Sequence, residues 1–339
     1  MGFGGAERVC NELMSYYAKH NVNVTLHLYD MDSLELLSYH DNINVKKYTT
    51  IRRLAKALKG QSVIIFNYPQ GIKGIILSRL FRYHTTYVMR HATFLYRLES
   101  PDRNQPLNKR ILLLLYYNFY LRFIKLYEKH IVLNETMKRN LVRRFKIKEE
   151  KISVIPNPIN QTFLEAQPLK PTVPNILYVG RLLKSKGLLD LLAIRKELPS
   201  HWKLTIIGNG HLKIDVLKAQ KTSIGPEIIY HEATADILDF YKNASCVVLP
   251  SYREGSPNVL LEAIAVGKPV VAYDCLSGPK DIIVPNVNGL LVPLGDKQIL
   301  KESLVNAVEK NWSEFEIKNT VQSHRIHLIA EKYLGVLKS

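Results

Sequence analysis

Cysteine is scarce in this sequence, and long apolar segments are missing from it. The three cysteines, Cys10, Cys246 and Cys275, lie far apart and are odd in number in a chain of 339 residues. Their spacing argues against a disulfide framework and against a cysteine-based metal site, and it suits a reducing cytoplasm. The apolar run at 111–121 is shorter than the roughly 20 residues of a membrane-spanning helix. We therefore expect a cytoplasmic protein without a membrane span.

Targeting signals and repeats are also missing. The opening residues Met1 to Gly5 have neither the basic start nor the apolar core of a signal peptide. Ala6 stands where a myristoylation signal has Ser or Thr. We find no internal repeat, low-complexity tract or nucleic-acid-binding motif. A hydrophobic content of 46% and a length of 339 residues instead predict two folded domains with sizeable cores.

Acidic residues are few in the first half of the chain. Residues 1–170 contain 27 Lys and Arg against 13 Asp and Glu, whereas residues 171–339 contain 20 against 17. A basic surplus confined to one half predicts an anionic partner, either nucleic acid or the anionic surface of a membrane. The alternative is a basic protein with an ordinary solvated surface.

Strand-like and helix-like segments alternate along the chain. Apolar runs of strand length occur at 22–29, 63–67, 86–90, 131–134, 175–181, 203–210, 246–250 and 269–274. Several are followed by apolar residues at helical spacing, or by a helix start such as Asn134. The alternation predicts an α/β protein with doubly wound parallel sheets. We interpret 131–134 as the last strand of the first domain and the proline-containing segment after it, 157–174, as an irregular linker.

The most informative stretch is Glu-Gly-Ser-Pro-Asn-Val-Leu-Leu-Glu at residues 254–262. It lies between a strand-like run and a helix-like run, so Gly255 to Asn258 form a turn at the carboxyl end of a strand, where open α/β sheets bind ligands. The helix start offers N–H groups and a positive dipole end, which suit a phosphate. The flanking carboxylates, Glu254 and Glu262, suit sugar hydroxyls as acceptors. Together these features predict a site for a nucleotide sugar.

A second strand-to-helix loop is basic. Gly180 and Arg181 end the strand-like run at 175–181, and Lys186 and Gly187 precede the next helix-like segment. Arg181 can bind two phosphate oxygens with its planar fork, and Lys186 adds a point charge. This loop therefore predicts diphosphate binding.

The two motifs, Glu254-x7-Glu262 and Gly180-Arg181 with Lys186-Gly187, resemble the signature of the retaining glycosyltransferases of family 4, the glycosyl transferases group 1 of bacterial surface-polysaccharide synthesis. The resemblance extends from Gly2 to about Leu337, although the strand expected before the glycine-rich start is missing. It implies the GT-B fold, in which two Rossmann-like doubly wound domains face a central cleft. It further implies four segments, namely an acceptor domain at 1–156, a linker at 157–174, a donor domain at 175–319 and a C-terminal helix at 320–339 packing back on the first domain.

The resemblance also implies roles for single residues. The implied catalytic residues are Glu254, His91, Arg181 and Lys186. The implied donor-binding residues are Gly180, Arg181, Lys186, Gly208, Asn209, Glu254, Gly255, Ser256, Pro257, Asn258, Val259 and Glu262. Gly4, Gly5 and His91 are implied on the acceptor side. The family implies neither a cofactor nor a metal ion.

The implied substrates are a nucleoside-diphosphate sugar, with a UDP-sugar favoured, and a lipid-linked or polymeric saccharide acceptor. Basic segments at 103–125 and 138–146 suggest peripheral attachment to the anionic inner face of the cell membrane. Two alternatives stay open at this point. A GT-B epimerase or phosphorylase would keep the fold and change the reaction. A basic nucleic-acid-binding protein would explain the charge, but the sequence shows no module for it, so we expect no nucleic acid.

Overall fold

The computed structural model describes residues 5–29, 43–65, 84–92 and 123–338, together with the single positions 76, 81 and 111. The chain divides into two compact units. The N-terminal unit comprises Ala6–Pro156 and Ile329–Ser339, and the C-terminal unit comprises Met1–Gly5 and Asn157–Leu328. Each unit contains parallel sheet, as the alternating sequence pattern predicts.

In the N-terminal unit, four strands form one parallel sheet and two more form a parallel pair. The described strands are β1 Thr25–Tyr29, β2 Asn44–Tyr48, β3 Ser62–Ile65, β4 Thr86–Arg90, β5 Lys129–Val132 and β6 Ile152–Val154. The described α-helices are α1 Gly5–Lys19, α2 Ile51–Ala57 and α3 Glu135–Phe145. The larger sheet has the order β3-β4-β5-β6, and β1 pairs with β2.

Strand β6 corrects the prediction that 131–134 is the last strand of this domain. Val154 in β6 lies in register with Val132 in β5, so the sheet continues by one strand beyond the expected end. The run that forms β6 is only three residues long, and Pro156 and Pro158 follow shortly after it in the sequence. Because so short a run has little periodicity of its own, its pairing with β5 decides its structure.

Helix α3 illustrates how local sequence sets an element. Asn134 caps the helix as predicted, and its side chain accepts a hydrogen bond from the Met137 N–H at 2.9 Å. Met137, Leu141 and Phe145 follow at intervals of four and are buried against the sheet. The helix ends at Lys146, whose backbone is left-handed. The polar start and the apolar stripe therefore account for both its position and its orientation.

The C-terminal unit has a six-stranded parallel sheet in the order β12-β11-β10-β7-β8-β9. Its strands are β7 Asn175–Val179, β8 Lys203–Ile207, β9 Glu227–His231, β10 Cys246–Leu249, β11 Val270–Tyr273 and β12 Gly289–Val292. Its helices are α4 Gln161–Glu165, α5 Leu188–Ile194, α6 Lys213–Gln220, α7 Leu238–Lys242, α8 Asn258–Ala265, α9 Pro279–Ile282, α10 Lys297–Glu309 and α11 Glu314–Asn319. The last helix, α12 Ile326–Lys338, crosses the boundary between the two units.

The core of the C-terminal unit lies on both faces of this sheet. Every residue of β10 and β11 is buried, as expected for central parallel strands with near-continuous apolar sequence. Helix α8 buries all six residues from Leu260 to Ala265. Full burial of a leucine side chain contributes roughly 1.5–3 kcal/mol, so this helix is held firmly against the strands that precede and follow it.

Two expected domain limits differ in the structure. The segment 157–174, expected to be an irregular linker, contains helix α4, and its Phe163 is buried in the same core as Tyr241. At the other end, the chain joins the N-terminal unit from Ile329 rather than from residue 320. There, the Tyr17 hydroxyl donates to the Ala330 carbonyl at 2.8 Å. The burial of Phe163 places the first segment in the C-terminal unit, and the hydrogen bond from Tyr17 places Ala330 in the N-terminal unit. Neither contact is visible from the turn residues in the sequence.

Candidate active site

Two strand-to-helix loops lie beside each other in the C-terminal unit. The β7–α5 loop comprises residues 180–187, and the β10–α8 loop comprises residues 250–257. Strands β7 and β10 are hydrogen-bonded neighbours, so the two loops leave the same edge of the sheet. From β7 the chain first runs outward to β8 and β9 and then returns to the other side of β7 with β10. This is a topological switch point, the place where open α/β sheets bind ligands.

The two charges selected from the sequence meet at this point. The Lys186 ammonium lies 2.6 Å from Oε1 of Glu254, although the residues are 68 positions apart. Their side chains are 19% and 10% exposed, so the pair is sheltered and little screened by salt. The Tyr252 N–H also donates to the Ser185 carbonyl at 2.9 Å. The structure therefore brings the predicted diphosphate loop and the predicted sugar-binding carboxylate into direct contact.

Glycine makes the close approach of these loops possible. Gly187 has a φ of 67°, and a Cβ there would lie 1.7 Å from the Pro250 carbonyl oxygen. Gly208, which follows β8, is equally constrained, because a Cβ there would lie 1.8 Å from the Gly180 carbonyl oxygen. Since both contacts are with backbone atoms, no side-chain movement would relieve them. Gly187 and Gly208 thus allow neighbouring backbones near the predicted site to approach each other closely.

Side-chain hydrogen bonds from Ser277 and Asn157 stabilise the turn that starts helix α8. Ser277 donates from its hydroxyl to the Gly255 carbonyl at 3.1 Å. The Asn157 amide donates to Asn258 Oδ1 at 2.6 Å and to the Ser256 carbonyl at 3.2 Å. Pro257 occupies the N-cap and makes no side-chain hydrogen bond to the helix start. The N-cap residue of α8 therefore contributes no side-chain bond of its own, and the start of a helix suits an anionic ligand.

Asn157 was not selected as a site residue from the sequence. It lies directly after the last residue of the N-terminal unit, at the start of the segment 157–174 that the sequence predicts to be a linker. The sequence signal was an asparagine between two prolines. Only the structure shows that this asparagine is buried, and a buried polar side chain needs partners. Its partners are 99 and 101 residues away, so the sequence does not reveal them.

The second carboxylate of the motif lies deeper than the first. Glu262 is in the second turn of α8, and only 6% of it is exposed. The Tyr241 hydroxyl donates to its Oε2 at 2.7 Å. Arg181 is exposed at the end of β7. Asn209 follows β8, and its Oδ1 lies 3.3 Å from the Tyr230 hydroxyl. The expected donor residues thus surround one edge of the sheet at different depths.

His91, the residue expected on the acceptor side, belongs to the N-terminal unit and lies just past β4. It is buried, and its Nε2 lies 3.1 Å from Nδ1 of His130 in the neighbouring strand β5. Burial lowers the pKa of His91 well below its usual range and lowers the pKa of His130 to about 4. Both imidazoles are therefore neutral at pH 7. His130 was missed because only the pairing of β4 with β5 places it beside His91.

Some residues predicted from the sequence to be functional lie outside the described residues, among them Gly4 and most of the basic segment 103–125, including Arg103 and Arg122. Gly5 is the first residue of α1. In the second basic segment, the described helix α3 exposes Arg139, Arg143 and Arg144, whereas Lys138 forms an ion pair with Glu149 at 2.7 Å.

The described residues contain neither a metal-binding cluster nor a membrane-spanning helix. No group of three or more His, Cys, Asp or Glu side chains there could hold a metal ion. No helix among these residues combines the length and the apolar character that crossing a membrane requires.

Two family models match consecutive parts of the chain. The model described as Glycosyltransferase Family 4 matches residues 3–163, and the one described as Glycosyl transferases group 1 matches residues 160–321. The amylovoran biosynthesis glycosyltransferase AmsD of Erwinia amylovora is 26% identical over 98% of this chain and 96% of its own length. The relationship therefore extends over both units.

Solved structures share the fold. The apo form of the lipopolysaccharide outer core galactosyltransferase WaaB is 20% identical, with a TM-score of 0.76 and coverage of 99% of this chain and 96% of its own. Anabaena Alr3699/HepE in complex with UDP is 16% identical, with a TM-score of 0.78 and coverage of 100% and 97%. Both have the GT-B fold. The resemblance seen in the sequence motifs is confirmed, and this protein belongs to the group 1 glycosyltransferases of the GT-B fold.

Proposed function

We propose that this glycosyltransferase moves a sugar from a nucleoside-diphosphate sugar, with a UDP-sugar favoured, to a saccharide acceptor in cell-surface polysaccharide synthesis. The observation that carries the proposal is the pairing of Lys186 with Glu254 at the switch point of the sheet, near the start of α8. A cation and a helix start suit a diphosphate, and a carboxylate suits sugar hydroxyls. The relatives support it: AmsD acts in amylovoran biosynthesis, WaaB is a galactosyltransferase, and HepE was solved with UDP.

Donor binding exchanges the ion pair for contacts with the substrate. Lys186 turns to the diphosphate and, with Arg181, stabilises the negative charge that develops on the departing nucleoside diphosphate. Glu254 is thereby released to accept hydrogen bonds from the sugar and to face the positive charge at its anomeric carbon. Glu262 and Asn209 bind the nucleoside, deeper along the same edge. Because two cations lie where negative charge develops, we propose that the reaction needs no metal ion.

The proposed stereochemical outcome is retention of the anomeric configuration. The acceptor hydroxyl attacks from the face that the diphosphate leaves, and a diphosphate oxygen takes the hydroxyl proton. The new bond joins the acceptor oxygen to the anomeric carbon, and the bond that breaks joins that carbon to the diphosphate. His91, the residue proposed for the acceptor side, acts in this proposal as a neutral imidazole, in keeping with its lowered pKa.

A panel of nucleotide sugars, assayed for release of UDP or GDP with and without saccharide acceptors, tests the proposal. We expect acceptor-dependent release of UDP that EDTA does not change, and a product whose NMR spectrum shows the anomeric configuration of the donor. Donor turnover in the absence of any acceptor would favour an epimerase or phosphorylase. The proposal would be wrong if no donor released a nucleotide and the addition of UDP did not raise the melting temperature.

We further propose that the acceptor is reached at the inner face of the cell membrane, with peripheral attachment. The surplus of basic residues lies in the half of the chain that forms the N-terminal unit, whereas the half with the donor motifs is nearly neutral. Attraction of the anionic donor would favour the opposite distribution. An acceptor linked to an anionic membrane explains the observed one, through a contact that weakens with salt.

A further inference from the structure

The reacting groups of the proposed site lie on two separate loops. Lys186 belongs to the β7–α5 loop and Glu254 to the β10–α8 loop, so their separation depends on how the loops are fastened together. Two backbone contacts fasten them, the Tyr252 N–H to the Ser185 carbonyl at 2.9 Å and the approach of Gly187 to Pro250. Once the donor has separated Lys186 from Glu254, these contacts and any side-chain bridge must keep the loops in place.

Such a side-chain bridge is present directly behind the ion pair. Asp190 lies in the first turn of α5, four residues after Lys186, and is 8% exposed. Its Oδ2 accepts hydrogen bonds from the Tyr252 hydroxyl at 2.5 Å and from the Tyr273 hydroxyl at 3.2 Å. Lys297 lies 3.5 Å from its Oδ1. Three side chains from three different segments thus converge on one carboxylate.

Tyr252 connects the Asp190 cluster to Glu254. It stands two residues before Glu254, so its hydroxyl bond to Asp190 ties the backbone that carries Glu254 to the helix that follows Lys186. Hydrogen bonds from hydroxyls to ionised carboxylates are short and strong. That bond also raises the pKa of Tyr252 to about 12, so the hydroxyl stays a donor throughout the physiological range. Tyr273 reaches the same carboxylate from strand β11, which carries neither reacting group.

We propose that Asp190 and Tyr252 are positioning residues that hold Glu254 at its working distance from Lys186 once the donor has separated the two side chains. Neither residue contacts the donor in this proposal, and both act through Glu254. The inference rests on the proposed function for the roles of Lys186 and Glu254. It adds two residues that neither the sequence motifs nor the proposed mechanism uses.

Substitution of Tyr252 by Phe, with Tyr273→Phe as the matched control, tests the proposal. Each variant removes one hydroxyl from the same carboxylate, and only the first loosens the β10–α8 loop. We expect Tyr252→Phe to lower kcat for the best UDP-sugar by about tenfold or more, since small misplacements of reacting groups have large effects. Its Kd for UDP, measured by calorimetry, should stay within about threefold of wild type. Tyr273→Phe should stay within about twofold of wild type in kcat. Equal losses in the two variants would overturn the proposal.

A double-variant cycle asks whether Tyr252 acts through Glu254. In a Glu254→Gln background, Tyr252→Phe should cause no further loss of the residual turnover. If Tyr252→Phe lowered turnover by the same factor in the Glu254→Gln background as in the wild type, Tyr252 would not act through Glu254. Asp190→Asn, which keeps an oxygen acceptor for the hydroxyl, should retain more activity than Asp190→Ala.

Hydrogen exchange separates failure of this inference from failure of the proposed function. In peptides covering residues 250–257, Tyr252→Phe should speed amide exchange and Tyr273→Phe should not. This measurement needs no substrate, so it holds even if no donor on the panel is turned over. Unchanged exchange in Tyr252→Phe would overturn the positioning role, whereas faster exchange in a protein that releases no nucleotide would count against the proposed function alone.

Discussion

Lys186 binds a carboxylate in this structure and, in our proposal, a diphosphate during the reaction. The pair with Glu254 leaves both charges neutralised while they are sheltered from water, which avoids an isolated buried ion. A diphosphate carries more charge than one carboxylate and therefore competes for the lysine. The freed carboxylate then meets the sugar. The ion pair thus keeps the Lys186 ammonium and the Glu254 carboxylate together at the site until the donor binds to each of them.

Replacement of Lys186 by Ala should lower kcat about a hundredfold, roughly 3 kcal/mol of lost transition-state stabilisation. Arg181→Ala should have an effect of similar size for the same reason. The measurement is steady-state release of UDP. Lys184→Ala is the control, because Lys184 is an exposed cation of the same loop that the mechanism does not use. Activity within twofold of wild type in both test variants would rule out the proposed roles.

Glu262→Ala should raise the KM for the donor about tenfold with little change in kcat, because a ribose contact is similar in the ground and transition states. The side chain also holds the Tyr241 hydroxyl, so Tyr241→Phe serves as the control for loss of that bond alone. We expect the control to keep a KM within about twofold of wild type. A collapsed kcat at unchanged KM in Glu262→Ala would contradict the assignment to the ribose.

At the scale of single elements, α3 differs from the helices of the C-terminal unit in its charge. One face packs on the sheet through Met137, Leu141 and Phe145. The opposite side exposes three arginines, and its last turn carries no acidic residue. A helix with one packed face and one basic face can be both a structural element and a contact for an anionic surface.

Neutralising the arginines of α3 should weaken membrane binding. With about 1 kcal/mol for each basic residue near an anionic surface, the triple variant Arg139→Gln, Arg143→Gln, Arg144→Gln should lose tenfold or more in partitioning. The assay is sedimentation with vesicles containing anionic lipid, at low and high salt. A variant with three exposed lysines of the C-terminal unit replaced, Lys196→Gln, Lys218→Gln and Lys221→Gln, has the same net charge and should bind like wild type.

Two results would contradict this prediction. Wild-type protein that stays in the supernatant at low salt does not bind anionic membranes. Equal loss in both triple variants would show that total charge, and not α3, controls the partitioning.

At the scale of the whole molecule, the stability of the folded chain should fall in acid because of a histidine pair in the N-terminal unit. The N-terminal unit contains a neutral, buried histidine pair, and burial is the main cause of both lowered pKa values. In the unfolded chain a histidine has a pKa of about 6.5. Between the two values the unfolded state binds more protons, so stability is lost as the pH falls from 6.5 towards 4.

His130 alone should contribute about 2 kcal/mol to the loss of stability between pH 7.5 and pH 5. The measurement is urea unfolding of the full chain at both pH values, with His130→Gln as a variant that does not titrate. We expect the wild type to lose more stability than the variant over this interval. A difference between them that does not change with pH would show that His130 titrates normally in the folded protein.

The sequence by itself determined the α/β class, the main strands and helices of the C-terminal unit, and the family. Each of these depends on neighbours in the chain. The apolar run of β10, the turn at Gly255 to Asn258 and the Asn134 cap are local patterns with local physical causes. The charges of Arg181 and Lys186, each placed just beside a glycine, likewise marked the diphosphate loop before any fold was known.

Only the tertiary structure decided which of these residues meet. Lys186 pairs with Glu254 across 68 positions, Asp190 with Tyr252 across 62, and Asn157 with Asn258 across 101. The order of strands in the sheet brings β7 beside β10, and no local pattern encodes that order. Burial has the same origin, because water is excluded from His91 and His130 only when β4 and β5 pair and the unit closes around them. Their neutral state therefore belongs to the fold, since desolvation by distant residues produces it.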